Sequence, residues 1–156
     1  MRGKAAPKRH IAPDPRFNDP EIAKFINYIM QGGKKATAQR IVYSAFEIVQ
    51  EKTAQDPQTI FNKAMKMVSP LLEVRSRRVG GGNYQIPYQV RGERRFMLAC
   101  RWMIEAARAR KGKPMAEKLA AEIIDTSNGE SASVRKKVDV QRMAEANKAF
   151  AHFARQ

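Results

Sequence analysis

The sequence predicts a mainly α protein, a six-helix bundle-like body with one protruding β-hairpin between the third and fourth helices. Two observations carry that prediction. Apolar residues recur at spacings of three and four in stretches separated by Gly, Pro, Asn or Asp, the pattern of helices that bury one face. Between residues 72 and 91 the period drops to two around the run Gly80-Gly81-Gly82-Asn83, the pattern of two strands joined by a tight turn. With 156 residues, 43% of them hydrophobic, the chain is long enough to enclose a core, and residues 1–156 are expected to form a single domain.

Residues 1–18 carry Arg2, Lys4, Lys8, Arg9 and Arg16 among Pro7, Pro13 and Pro15, a composition that resists helix and favours an extended basic arm. The first helix opens at Asp19-Pro20, a carboxylate N-cap followed by proline at the first helical position, and is expected to close at Gly32-Gly33. Ile22, Phe25, Ile26, Ile29 and Met30 form its inward stripe. The second helix spans about Lys35–Thr53 and turns Ala38, Ile41, Val42, Ala45, Ile48 and Val49 to one face. Asp56-Pro57 repeats the cap-and-proline start for a third helix, with Ile60, Phe61, Ala64, Met67 and Val68 inward and Ser69-Pro70 as its stop.

In the hairpin, Tyr84, Ile86, Tyr88 and Val90 share one side of the second strand, and Pro87, which cannot donate to a ladder, marks that strand as an edge. Two strands alone are marginal in water, so the ribbon needs support from the helical body or a ligand. A fourth helix covers about 93–110 and presents Phe96, Cys100, Met103 and Ala107 to the core. A fifth runs from Pro114 to about Thr126, buries Met115, Leu119 and Ile123, and is closed by Asn128-Gly129. A sixth starts near Ser133 and carries Val134, Val138, Met143, Ala144 and Phe150.

Thirty Lys and Arg against fifteen Asp and Glu give a formal charge of +15, and a compact body with that charge repels itself unless a polyanion neutralises it. Residues 75–113 hold eleven of the basic residues but only Glu93 and Glu105 as acids. Arg94, Arg101 and Arg108, seven apart, line up along the fourth helix away from its apolar stripe. A charge run is ordinarily a solvated face, but such faces interleave Glu with Lys in supporting pairs, and acidic partners are scarce here. The preference for Arg, whose planar fork fits phosphate, points to phosphate binding. Arg75 and Arg77 share one face of the first strand and Arg78 takes the other, while Lys34-Lys35 and Lys111 with Lys113 sit at helix ends. Separated basic patches and a basic arm suit a folded RNA better than one straight groove.

Other chemistry finds no foothold. The glycine run is not followed by Gly-Lys-Ser/Thr and lies between strands, so it reads as a hairpin tip rather than a nucleotide loop. Tyr84 and Tyr88 are expected to pack on the protein more than to stack on bases, and Trp102 to serve helix packing. Cys100 is the single cysteine and lies on the apolar face, so it reads as a small buried hydrophobe without a nucleophile role. His10 and His152 are far apart, no zinc-ligand spacing occurs, and neither a metal, a cofactor nor an enzymatic reaction is expected. No apolar run reaches the ~20 residues of a membrane span, and residues 1–9 lack a signal-like apolar stretch, so a cytoplasmic location or its equivalent is expected. Two rivals share the charge: a DNA-packaging basic helical protein and a protein resting on anionic membrane.

The runs FINYIMQGGKKATA at 25–38, RRVGGGNYQIP at 77–87, RGERRFMLACRW at 91–102 and MAEANKAFAH at 143–152 occur in the order seen in small-subunit ribosomal protein S-seven, and the chain resembles that family over nearly its whole length. The resemblance implies a six-helix body with a hairpin between the third and fourth helices. It implies direct binding to the 3′ major domain of small-subunit ribosomal RNA, nucleation of head assembly, and a position near the exit-site transfer RNA and messenger path. It further implies ribosomal proteins nine and eleven as neighbours, no homo-oligomer, no membrane partner, and residence on cytoplasmic ribosomes or those of an organellar matrix or stroma. By matching motif, Lys34, Lys35, Arg77, Arg78, Arg94, Arg95 and Arg101 would face ribosomal RNA, joined by Arg75, Arg108, Lys113 and the arm residues Arg2, Lys4, Lys8 and Arg9. The tip, Gly80, Gly81, Gly82 and Asn83, would face transfer RNA. Asn83, Gln141 and the closing FARQ depart from the family pattern.

Overall fold

The structure, a computed structural model, describes residues 3, 6, 7 and 9–155. Among these, the elements run α1 (Pro20–Ile29), α2 (Lys35–Thr53), α3 (Pro57–Val68), β1 (Leu72–Val79), β2 (Gly82–Gln89), α4 (Gly92–Ala109), α5 (Met115–Asn128), α6 (Ala132–Ala146) and a 3₁₀ helix over Lys148–Arg155. Six α-helices and a hairpin between α3 and α4 are what the periodicity predicts. Local chemistry sets the boundaries. Asp19 accepts from the Glu21 N–H at 2.7 Å and Asp56 from the Thr59 N–H at 2.8 Å, each pairing an orphan donor of a first helical turn. Helix α1 stops at Ile29, ahead of the expected glycines, because Gly32 and Gly33, at φ of 56° and 73°, form the turn itself. At the end of α5 the Gly129 N–H reaches the Thr126 carbonyl and the Glu130 N–H that of Asp125, with Gly129 at a φ of 87°.

Helix α5 is the centre of the body, packed by α2, α3 and α4, and its Leu119, Ala120 and Ile123 are fully buried. Phe25, Phe46 and Phe61 join α1, α2 and α3 beside it, with ring centroids 5.0 Å apart for Phe25 and Phe61 and 5.5 Å for Phe46 and Phe61. Burying each such ring contributes roughly 1.5–3 kcal/mol. Phe46 lies outside the stripe predicted for α2, whose Ile41 and Ile48 are half-buried instead. In α3, Met67 is exposed and Met65 takes the inward place, because α3 is covered on the side facing α4 and α5. Helix α4 is buried over a wider arc than its predicted stripe: Leu98, Trp102 and Ile104 join Cys100, Met103 and Ala107, while Phe96 is half-buried. Burial pushes the Cys100 thiol far above its ordinary value, with the charge of Glu21 adding to the effect, so the thiolate is suppressed.

Helix α6 departs most from expectation. Val138 and Met143 are exposed, Val134 is half-buried and Ala144 alone of the predicted stripe is buried. Its start docks through polar groups: Ser133 donates to Glu122 at 2.8 Å, and Thr126 Oγ1 donates to Ser131 Oγ at 3.0 Å. Glu122, fully buried on α5, also accepts from Arg110 Nε at 3.0 Å and Nη2 at 2.7 Å. Burial alone would lower the Arg110 guanidinium, but hydrogen bonds to Asp125 and Glu122 outweigh it and hold it above its usual value. The helix ends at Ala146, where the Asn147 side-chain amide donates to the Met143 carbonyl at 2.8 Å, so Phe150 falls in the 3₁₀ helix rather than on α6.

The arm is extended only in part. Asp14 is 2% exposed and accepts from the Arg16 N–H at 3.1 Å, the Phe17 N–H at 3.3 Å and the Tyr43 hydroxyl at 2.8 Å. Phe17 sets its ring edge-on to Phe46, 5.2 Å between centroids. Arg16 lies over the rings of Phe17 and Tyr43 and pairs with Glu47 at 2.8 Å. Residues 14–18 are therefore a turn plugged into α2, because a buried carboxylate gathers the local backbone donors that a free arm would leave to water.

Strands β1 and β2 pair antiparallel from Leu72↔Gln89 to Val79↔Gly82, joined by Gly80 and Gly81. Both have positive φ, 56° and 89°, as a two-residue hairpin turn requires. Gly82 and Asn83, read as part of the tip, belong to β2. Tyr84 packs on Phe150 and Phe153, at 5.0 and 6.0 Å between centroids, so the 3₁₀ helix supplies the support that an isolated ribbon lacks.

Candidate nucleic-acid interface

The arginine line of α4 is present, but its members differ. Arg94, Arg101 and Arg108 are all exposed, as their spacing demands. Arg94 donates from Nε and Nη2 to Glu73 at 3.0 and 2.9 Å, while Arg101 and Arg108 take part in none of the ion pairs found among the described residues. Arg101 is near enough to Tyr28 of α1 for its charge to oppose the rise that burial produces in the phenol.

Glu73 explains the difference. It is a buried carboxylate on β1, and it pairs with both Arg75 and Arg94, joining the base of the hairpin to the start of α4. Arg75 also lies 5.3 Å from the Tyr88 ring centre. Those two arginines are thus partly neutralised by the fold, a correction to the acid-poor reading of residues 75–113. Arg77 donates to the Phe153 carbonyl at 2.9 Å, on the face covered by the 3₁₀ helix. Arg78 is exposed and opposite Asn83, on the other face of the ribbon, in no ion pair among the described residues. Arg110, half-buried, belongs to the Glu122 network and not to the basic surface.

Lys34 and Lys35 are exposed at the start of α2. That helix end has no side-chain cap and no acid in its first turn. Two ammonium groups at the positive end of a helix dipole repel it, and an anion placed there relieves both. Lys113 stands beyond α4, 3.9 Å from Glu117, with both side chains largely in water, so the pairing is weak. Arg9 is exposed and, with His10 and Ile11, walls a cleft of about 660 Å³ against Pro20, Lys24 and Tyr28 of α1 and Phe96 of α4. Arg2, Lys4 and Lys8 lie outside the described residues. Gly80 and Gly81 form the exposed tip.

Sequence reasoning missed four contributors. Asp14 and Tyr43 anchor the arm, and their pairing across 29 residues leaves no periodic signal. Lys66 shares a second cleft with Arg95, and Lys137 of α6 feels the charge of Arg95, although the three come from separate helices. Among the described residues, no group of three or more His, Cys, Asp and Glu is placed to hold a metal ion, and no helix is long and apolar enough to cross a membrane.

An exposed basic surface made of Arg101 and Arg108 on α4, without ion pairs among the described residues, with lysines at the α2 end and arginine on the ribbon, meets the requirements of a polyanion. Comparison with known proteins specifies the lineage. A chain named small ribosomal subunit protein uS7 from Caldanaerobacter subterraneus subsp. tengcongensis is 57% identical over 147 residues, 94% of each chain. A protein of the same name from Thermotoga maritima is 56% identical over 153 residues, covering 98% of this chain and 99% of its own. Another, from Dechloromonas aromatica, is 53% identical over 152 residues, 97% of each. The sequence model of the family described as "Ribosomal protein S7p/S5e" matches residues 1–148, and the chain belongs to that family.

Proposed function

We propose that this chain is a structural constituent of the small ribosomal subunit that holds ribosomal RNA through its exposed basic face; it is not an enzyme. The observation that carries the reading is that Arg101 and Arg108 stand exposed on one line of α4 with no carboxylate partner among the described residues. Unpaired guanidinium groups on a rigid helix are preorganised for phosphates. On the family resemblance, the RNA is the 3′ major domain of the small-subunit RNA, bound directly and early, so that the protein nucleates the head. Gly80 and Gly81 then project toward exit-site transfer RNA and the messenger path, ribosomal proteins nine and eleven are neighbours, and the ribosome is cytoplasmic. Arg94 and Arg75 contribute less than their charge implies, because Glu73 already holds them.

The test is binding of the full chain to a transcript of that RNA domain as salt is varied. Replacing Arg101 and Arg108 by Glu is expected to reduce the slope of log K against log salt by roughly 0.7–0.9 for each lost phosphate contact. An unchanged slope means the line faces solvent. Duplex DNA binding as tight as the transcript in direct competition replaces this reading by the DNA-packaging one.

A further inference from the structure

The apolar core draws its buried residues from α1–α5 and from Val90 at the base of the ribbon. Ile86 of β2 and Ala144 near the end of α6 are also buried, but outside that core. So are the three rings between the ribbon and the 3₁₀ helix: Tyr84, Phe150 and Phe153 pack on one another and not on the core. Among the described residues the 3₁₀ helix packs on β2 and α6 and on no other element, and α6 packs on both strands. The ribbon, α6 and the 3₁₀ helix thus share an apolar patch of their own, fastened by the Arg77 bond to the Phe153 carbonyl at 2.9 Å.

The contacts that tie this group to α1–α5 are of another kind. Glu73 of β1 accepts from Arg94 of α4 at 3.0 and 2.9 Å. Ser133 of α6 donates to Glu122 of α5 at 2.8 Å, with the Thr126 and Ser131 hydroxyls 3.0 Å apart beside it. Lys137 donates to the Met67 carbonyl at the end of α3 at 2.7 Å. Helix α6 meets α3, α4 and α5, yet the side chains it rests on the core, Val134 and Val140, are only half-buried. Water can take over a polar contact when a boundary parts, but it cannot replace apolar packing, so the fold is weakest along this line.

We propose that the ribbon, α6 and the 3₁₀ helix open as one cooperative unit while α1–α5 stay folded. The ribbon then keeps a fixed direction only while α6 is docked, and a contact made to α6 is felt at the hairpin. The opening belongs to the free chain and does not rest on RNA binding.

The experiment is native-state amide exchange of the full chain, followed residue by residue by NMR as urea is raised below the unfolding midpoint. Amides of β2 and α6 are expected to converge on one opening free energy and one urea dependence, both smaller than those of α5. Ser133→Ala is expected to speed exchange about fivefold in β2 as well as in α6, the effect of one lost buried hydrogen bond. Ile26→Val lies in α1, which touches neither the ribbon, α6 nor the 3₁₀ helix among the described residues. It destabilises the closed and the opened forms alike, so it is expected to speed exchange about fivefold in α5 and to leave β2 and α6 unchanged. A single opening shared by α5, α6 and β2 in the unaltered chain overturns the proposal, whether or not either variant folds. Acceleration in α6 but not in β2 on Ser133→Ala also overturns it, because the ribbon would then open by itself.

Discussion

Removing Glu122 puts the polar heart of the fold to the test. Its carboxylate is fully buried and accepts from Arg110 at 2.7 and 3.0 Å and from Ser133 at 2.8 Å. Breaking a buried ion pair by truncating one partner costs about 3–5 kcal/mol, because the other charge is left uncompensated. Here the Arg110 side chain is 32% exposed and keeps Asp125 at 2.6 Å, so screening removes roughly half of that cost. The lost hydrogen bond from Ser133 adds about 1 kcal/mol. Glu122→Ala is therefore expected to lose about 3 kcal/mol, which for a chain of this length lowers Tm by about 6–12 °C. Glu122→Gln keeps an acceptor for Ser133 and is expected to lose about half as much. Urea unfolding followed by far-UV circular dichroism measures both, and an unaltered m-value assigns the change to stability. A loss below about 0.5 kcal/mol for the alanine variant refutes the reasoning, since an exposed carboxylate would behave that way.

Two further outcomes follow from local geometry. Gly81→Ala forces a side chain onto a residue at a φ of 89°, costing about 1–2 kcal/mol; amide exchange at Val79 and Gly82 is expected to quicken while the global melt stays put, and unchanged exchange would contradict the turn geometry. Hydrogen bonds from the Thr59 hydroxyl and N–H hold the Asp56 carboxyl below its ordinary value, so its contribution is present above the unfolded-state pKa and is lost as pH falls through the lower folded one. Asp56→Ala is expected to cost about 1 kcal/mol at neutral pH, with the gap to the unaltered chain narrowing as pH falls from the ordinary carboxylate range through the lower folded pKa; a gap that stays constant throughout acid titration would show that the cap does not act through its charge.

The elements were legible because their signals are local. Asp19-Pro20, Asp56-Pro57 and Gly129 each act within a turn of the chain, and the change of period at Leu72 marks the ribbon without reference to anything distant. The state of each arginine was not legible, because it depends on carboxylates delivered by other elements. Glu73 reaches Arg94 across 21 residues and Glu122 reaches Arg110 across 12, so counting acids within a sequence window misjudges which cations remain available. Helix α6 misled for a related reason. Its valines mimic an apolar stripe, but Ser131 and Ser133 dock it on polar groups, and Val138 is left outside.

The contact between the ribbon and the 3₁₀ helix also orders events in time. Arg77 donates to a carbonyl 76 positions further along, and Tyr84 rests on Phe150 and Phe153. Chains are synthesised from the N-terminus at about 5–20 residues per second, so the strands emerge several seconds before the aromatic rings that brace them. Until then the ribbon is held at its base by the Glu73–Arg94 pair and by α6, while its outer part lacks the rings that brace it. The residues of the 3₁₀ helix therefore decide when the basic hairpin becomes a rigid arm, and a chain cut before Phe150 would keep its helical body while losing the rings that brace the ribbon.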